Sequence, residues 1–416
     1  MLLRKSFTWL HRWVGLAAGL VLALLGLTGS LMVWQAPLDA ALNPQWFRAP
    51  ASACAAPAQP LARTLALLAR HAPQARAQTL VAPREPGAAY QVWEARDAAS
   101  GRRTEHFIDP ACGVYLGQRE RGALRLDAAH AVPLLYELHS RLLAGETGHV
   151  VAGIAALLFA GLTATGLWLA LPRAARGKRL RAWRHALSVS RGGAPAKRWY
   201  ELHRAGGLWL GPVALLVSLT GAALVFPAPV RDAVAQVLPL QRLAKLPRQP
   251  AAQHPTPAPA AAASTPDDWL AAAQQQFPAA RWSRLTLPKG AQGPVEVRLL
   301  QAGELRETTG YTRVRLDRQG RVLEIYDPLQ APDGNRLIDA VFPLHSAEAL
   351  GLAARGLWTL FGLLPVTLLA TGAWLWWRRQ RRRQAQAGAS SGATVTATLG
   401  APEPPRSKPR SGATSA

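Results

Sequence analysis

Histidines heading apolar helices are the residues in this chain whose type and spacing could do chemistry. Leu10-His11-Arg12 opens the stretch LHRWVGLAAGLVLALLGLTGSLMVW, and Leu202-His203-Arg204 opens LHRAGGLWLGPVALLVSLTGAALVF. His203 follows His11 by 192 residues, and at the same offset Gly15, Gly19, Thr28 and Gly29 recur as Gly207, Gly211, Thr220 and Gly221. A second set recurs at an offset of 206: His139 in ELHSRLLAGETGHVVAG returns as His345 in PLHSAEALGLAARGLW, with Gly145 and Gly166 returning as Gly351 and Gly372. Agreement this regular reads as an internal duplication. An imidazole at the end of a membrane helix is costly enough to require a reason, and four at duplicated positions point to bound ligands.

Helix direction sorts the four. His11 and His203 begin helices that run one way and His139 and His345 helices that run back, so each pair shares a depth and the two pairs lie near opposite surfaces. Zinc would require three or four ligands from His, Cys, Asp or Glu, and the acids nearby are few: Glu201 on one side, Glu137, Glu146 and Glu348 on the other. Haem b needs only two axial imidazoles and apolar walls that admit a flat macrocycle. Gly15 and Gly19 continue the face headed by His11, as Gly207 and Gly211 continue that of His203. Such small residues could line a haem slot or serve helix packing alone. Arg12 and Arg204 suit haem propionates or anchor the helices at the interface. His149 could replace His139 as a ligand, pair with a propionate or hydrogen-bond within the bundle. His71, His106, His130, His185 and His254 have no repeat partners and read as surface residues.

The elements that must position these groups are apolar. Of the 416 residues 49% are hydrophobic and only 17% charged, yet the net charge is +24. The apolar residues gather in four blocks, about 13–34, 150–171, 206–226 and 353–377, each long enough to cross roughly 30 Å of hydrocarbon. The first exceeds a signal-peptide core and has a copy in mid-chain, so it reads as an uncleaved span. Basic residues cluster before the first span, in the 172–205 loop and in RRQRRR after the fourth. The positive-inside rule then puts both termini in the cytoplasm, and the basic charge is an attraction to membrane lipid rather than to nucleic acid. The division is 1–34 span 1, 35–138 outer module 1, 139–171 span 2, 172–202 basic loop, 203–226 span 3, 227–344 outer module 2 with a Pro/Ala linker, 345–377 span 4, and 378–416 a basic, then disordered, tail. The fold class is an α-helical membrane protein of four transmembrane helices in two helix–module–helix repeats, with two small α+β modules. Module 1 reads as LARTLALLARHAP helix and three strands; module 2 as a helix capped by Thr265 and three strands. Cys54 and Cys112, both in module 1, suit a disulfide in an oxidising compartment.

The LHR..G...G.......LTG and LH.....G helices, the TG.WL endings and the FIDPACGVYLGQR and VRLDRQGRVLEIYDP strands resemble the PepSY-associated transmembrane family over about 1–383. In the module motif Cys112 stands where Thr is usual, and His149 where Arg or Lys is usual. The resemblance implies two PepSY-like periplasmic modules on a bacterial inner-membrane core carrying two b-type haems, with His11, His203, His139 and His345 as axial ligands. Since the family includes ferric-siderophore reductases, it also implies an oxidoreductase that passes electrons outward to a ferric-siderophore or other ferric chelate. No nucleotide-binding fingerprint is present, so electrons would come from quinol or a donor protein. The rival expectation is a membrane-anchored PepSY module that inhibits or senses a peptidase or ligand; a permease is disfavoured by the few polar groups in the spans.

Overall fold

The computed structural model describes residues 2–47, 60–84, 88–109, 111–173, 177–192, 194–241, 264–290 and 293–399, with side chains through 386. In chain order the first half contains α1 (Leu2–Met32), α2 (Gln35–Leu42), α3 (Pro44–Phe47), α4 (Leu61–His71), β1 (Ala77–Val81), β2 (Tyr90–Glu94), β3 (Arg103–Asp109), β4 (Val114–Arg121), α5 (Ala128–Arg141) and α6 (Gly145–Ala170). The second contains α7 (Arg179–Leu187), α8 (Pro195–Val225), α9 (Pro227–Ala235), α10 (Pro266–Gln276), β5 (Arg281–Thr286), β6 (Val295–Leu300), β7 (Thr312–Leu316), β8 (Val322–Tyr326), α11 (Asp333–His345), α12 (Gly351–Phe361) and α13 (Leu364–Leu399). Among the described residues four helical spans are long and apolar enough to cross a membrane: α1, α6, α8 and the α12–α13 run from Glu348 to Gln386. In the bundle α6 and α13 each pack against both α1 and α8, which leaves α1 and α8 on a diagonal.

The fourth span is broken between α12 and α13, where Pro365 cannot continue a hydrogen-bonded turn. The break also brings backbones together: a Cβ on Gly362 would stand 1.9 Å from Ser30 Oγ, and one on Gly26 would stand 2.5 Å from Gly362 O. Polar side chains of α1 and its end reach across, Ser30 Oγ donating to Thr359 O at 2.8 Å and Trp34 Nε1 to Thr359 Oγ1 at 2.8 Å. Past the membrane α13 runs on to Leu399 where the sequence suggested a disordered tail from 384. Its Arg, Gln and Ala are strong helix formers. The basic loop likewise contains a helix not anticipated from sequence, α7, with Leu180 and Trp183 exposed among Arg179, Arg181 and Arg184.

The two α+β units expected as separate modules form one antiparallel sheet in the order β4-β3-β2-β1-β5-β6-β7-β8. They join where β1 pairs β5 through Thr79–Thr286, Leu80–Leu285 and Val81–Arg284. Apart, each would expose an unpaired strand edge, which is a liability in water. Helices α4 and α10 cover one face, burying Leu80, Val92, Ile108, Leu285, Val297 and Val314 against Leu61, Leu68 and Trp269. Asp267, at the start of α10, accepts from the backbone N–H groups of Leu61 and Ala62 at 2.7 and 2.9 Å, so one unit caps the other's helix. Thr265 caps α10 in a capping box with Asp268, as its position suggests. The opposite face rests on α5 and α11. There Arg119 bonds Asp39 of α2 at 2.8 Å and Glu105 at 3.0 Å. Burial alone would raise the Glu105 carboxyl, but Arg121, Arg119 and Arg103 outweigh it and hold the group at about 2.

Two sequence readings change here. His106 and His130 are buried rather than on the surface: His106 bridges Tyr115 and Glu94 at 3.0 and 2.8 Å, and His130 bonds Asp127 at 2.6 Å. Cys112 is disulfide-bonded; Cys54, the other cysteine of the chain, lies outside the described residues, as does His254.

Candidate functional site

The bundle brings the four duplicated histidines together as two facing pairs. His11 on α1 and His203 on α8 meet across the diagonal with ring centres 6.2 Å apart. His139 and His345 meet at 6.3 Å, but not at the heads of the spans. They sit on α5 and α11, which end just short of them: the chain turns through Leu142 and Leu143 after α5, and through Ala347 and Gly351 after α11, all in positive-φ conformations. A metal ion held by both members of a pair, with bonds of about 2.0–2.1 Å to each imidazole and roughly half a ring on either side, spans about 6 Å between centres. The first pair lies beside the last turns of α6, the second beside the last turns of α1. Along α1 the two levels, His11 and Thr28, are 17 residues apart, about 25 Å at 1.5 Å per residue.

Each ring is gripped in the same way by a Thr-Gly step on a neighbouring helix. His11 Nδ1 lies 3.1 Å from Thr165 Oγ1, His203 Nδ1 2.9 Å from Thr371 Oγ1, His139 Nδ1 3.0 Å from Thr28 Oγ1, and His345 Nδ1 3.3 Å from Thr220 Oγ1. Each threonine hydroxyl has a single proton, and it is donated one turn back within its own helix: Thr165 to Gly161 O at 2.8 Å, and Thr371, Thr28 and Thr220 to Thr367, Leu24 and Leu216 O, each at 2.7 Å. Toward the ring each threonine can therefore only accept. With the threonine proton placed in this way the hydrogen sits on Nδ1, and Nε2 is left as a lone-pair donor. His345 Nδ1 also lies 3.1 Å from the Val217 carbonyl, which demands the same tautomer. Orientation of a histidine through its second nitrogen is what metal-ligating imidazoles receive from their surroundings. Among the described residues no hydrogen bond engages any of these four Nε2 atoms, and no group of three or more His, Cys, Asp or Glu gathers around a metal position. The donor set is two imidazoles per site.

The glycine after each threonine makes room for the ring. A Cβ on Gly166 would stand 3.0 Å from His11 Cε1, and one on Gly29 or Gly221 3.0 Å from Cε1 of His139 or His345; on Gly372 it would stand 3.6 Å from His203 Cε1. These threonines and glycines were visible in the sequence as repeated LTG and ATG steps, but nothing there assigned them to the histidines. The glycines four and eight residues past the first pair divide in role. Gly19 and Gly211 are packing residues, since a Cβ on them would meet Leu369 at 2.4 Å and Leu167 at 2.6 Å. Gly15 has only Leu162 at 3.8 Å, and Gly207 nothing within 4 Å. One turn inward from the first pair there is thus room for a methyl at Gly15 and open space at Gly207.

The other sequence candidates sit around the pairs rather than in them. His149 Nδ1 lies 2.9 Å from Ser140 O, closing the turn between α5 and α6. Arg204 donates to Ala186 O at 3.0 Å and to His185 O at 2.6 Å, which fastens α7 to the bundle. Arg12 packs over Trp13 at 5.6 Å and keeps a buried Nε without a partner.

Fold and site define a multi-pass membrane protein whose helical core supports an antiparallel sheet and holds two facing histidine pairs. The chain belongs to the family of the PepSY-associated TM region, which it matches over residues 8–379. Comparison with curated proteins finds no match.

Proposed function

We propose that the protein is a di-haem electron carrier of the bacterial inner membrane that passes electrons outward to a ferric chelate, on the pattern of a ferric-siderophore reductase. The observation that carries this reading is the shared setting of four imidazoles in two facing pairs, each with Nδ1 against a threonine hydroxyl and Nε2 without a hydrogen-bond partner among the described residues. Two haem b groups fit this donor set, His11 and His203 holding one and His139 and His345 the other, and when bound they supply one-electron redox chemistry. The protein's own part is to fix the four rings, exclude water with the apolar walls of α1, α6, α8 and α13, and separate the two levels by most of the hydrocarbon thickness. The unpaired Nε of Arg12 suits a haem propionate; Arg204 is committed to α7. Basic α7 and the Arg378–Arg383 run, at the end of the bundle away from the sheet, support a cytoplasmic placement of that end and a periplasmic sheet. Hard oxygen ligands hold Fe²⁺ less tightly than Fe³⁺, so a chelate reduced beneath the sheet would release its iron. Quinol or a donor protein would supply the electrons.

The test is stopped-flow reoxidation under argon. Dithionite-reduced protein in detergent, freed of excess reductant, is expected to return to its oxidised spectrum on mixing with a ferric chelate, with one ferrous ion trapped by ferrozine per electron lost. Reduced protein that stays reduced with every ferric chelate tried overturns the reductase reading.

A further inference from the structure

The bundle-facing side of the sheet carries a row of arginines that the redox reading does not use. Arg284 of β5 lies directly opposite Arg298 of β6, which lies directly opposite Arg313 of β7. Like charges directly opposite on neighbouring strands repel. Elsewhere on the same face the chain neutralises such a pairing: Arg103 and Arg121 are also opposite one another, and Glu105 accepts from both at 3.1 and 3.3 Å. Among the described residues no acid is set between the members of the second row in this way. Glu296 bonds Arg315 at 3.3 Å and approaches Arg298 only at 3.9 Å, Glu324 bonds Arg315 at 3.0 Å, and Asp339 accepts from Tyr326 at 2.5 Å. Among the described residues neither Arg284 nor Arg313 forms an ion pair, and the Nε atoms of Arg284, Arg306 and Arg313 are buried without a partner. Burial first, then the neighbouring arginines, hold Arg284 down at about 9 and Arg298 at about 10.

The surroundings spread these guanidiniums over aromatic faces instead of quenching them. Trp93 lies against Arg103 at 3.9 Å and Arg284 at 4.6 Å, and Arg306 lies over Phe342 at 4.4 Å. Phe342 is three residues before His345, and Tyr136, under Arg121 at 5.1 Å, is three before His139. Arg306 and Arg121, on either flank of the row, therefore lie against the two helices that carry the sheet-side histidine pair. At its Arg313–Tyr326 end a cavity of about 340 Å³ opens between sheet, α9 and α11, with Arg231, Asp232, Asn335 and Asp339 also on its wall. That is within the size range of small-molecule sites.

We propose that Arg284, Arg298 and Arg313, flanked by Arg306, bind a multiply anionic, carboxylate-bearing ligand on the sheet face that rests on the helices of the His139–His345 pair, and that this ligand is an anionic chelate of ferric iron rather than a neutral or cationic one. Planar guanidiniums recognise carboxylates in forked pairs, and an anion here supplies countercharge to a row that Glu296 approaches only at Arg298. The identification of the anion as an iron chelate rests on the proposed reductase role; the anion site itself does not.

The experiment uses the full chain in detergent and gallium citrate, a redox-inert anionic chelate, so that binding is read without electron transfer. Saturable binding by calorimetry is expected, weakening as salt rises, with gallium desferrioxamine at least tenfold weaker. The double variant Arg284→Gln/Arg298→Gln is expected to bind gallium citrate about a hundredfold more weakly, roughly tenfold per charged partner removed, with visible absorption bands unchanged. Arg315→Gln, whose charge two glutamates already match, is expected to bind like wild type. Should the double variant not fold, the wild-type melting temperature decides, and gallium citrate is expected to raise it. Equal affinity for both gallium chelates, or no effect of either the double variant or the ligand on binding and melting, overturns the proposal. So does loss of haem from the double variant, which would assign the arginines to porphyrin carboxylates. Gallium citrate binding by a chain without haem would leave the anion site standing and remove the redox reading; haem without gallium citrate binding would do the reverse.

Discussion

Two glycines serve the same histidine pair with different clearances, which makes a discriminating test. The methyl of Gly166→Ala would stand 3.0 Å from His11 Cε1, whereas that of Gly372→Ala would stand 3.6 Å from His203 Cε1. Relaxed carbon contacts lie at about 3.5–4.0 Å, so the first substitution must push the His11 ring by about 0.5–1 Å and the second fits in place. Overpacking of this kind costs about 1–3 kcal/mol, or roughly 5- to 150-fold in the affinity for any ligand the ring holds. Removing a glycine from a helix interior favours the helix by up to about 1 kcal/mol, so the bundle itself should not weaken. The assay is haem per chain by pyridine haemochrome, with circular-dichroism melting alongside. Gly166→Ala is expected to lose the haem of the His11–His203 site and keep its helical melt; Gly372→Ala is expected to keep both haems. Equal loss in the two variants, or full haem in Gly166→Ala, would refute the steric argument and with it the assignment of the Thr-Gly steps to the rings.

Three further outcomes follow from the same geometry. Thr28→Val removes the acceptor that fixes His139, and loss of such an orienting partner lowers metal affinity about 10- to 100-fold; a redox titration should show the sheet-side centre altered and the other unchanged. His149→Ala should leave haem content at the wild-type value, because that ring bonds Ser140 O and not a pair; a halved content would make it a ligand. Glu105, lowered from 4.5 to about 2 and buried among Arg121, Arg119 and Arg103, contributes about 3 kcal/mol of stability. That contribution is present in full above about pH 4.5 and lost as pH falls toward about 2. Melting followed from pH 7 to 3 should show wild type weakening on acidification, and Glu105→Gln low and nearly flat throughout; coincident curves would contradict it.

The positions of the histidines were legible in the sequence because helix direction alone sets depth: His11 with His203, His139 with His345. Their clamps were not. Thr165 is 154 residues from His11 and Thr371 is 168 from His203, and only packing shows that a hydroxyl with its proton already donated faces each Nδ1. The separate helices α5 and α11 were hidden because their exits begin at positive φ on Leu142, Leu143 and Ala347, residue types that do not announce a turn, with Gly145 and Gly351 following only afterwards. Strands could be found one at a time by alternation, but the β1–β5 pairing that fuses two units is non-local, and so are the cross-strand registers that line up Arg284, Arg298 and Arg313. His106 and His130 were misplaced on the surface because a lone histidine in a strand or first turn gives no sign of the Glu94 or Asp127 that lets it be buried.

The central claim is that each facing pair holds one haem b through both of its rings. Electron paramagnetic resonance of the oxidised, detergent-purified chain, with haem counted per polypeptide, tests it directly. The account predicts two low-spin bis-imidazole ferric centres per chain, falling to one in His203→Ala. A preparation from haem-replete cells with no haem, or with high-spin centres that survive His203→Ala and His345→Ala alike, would contradict it.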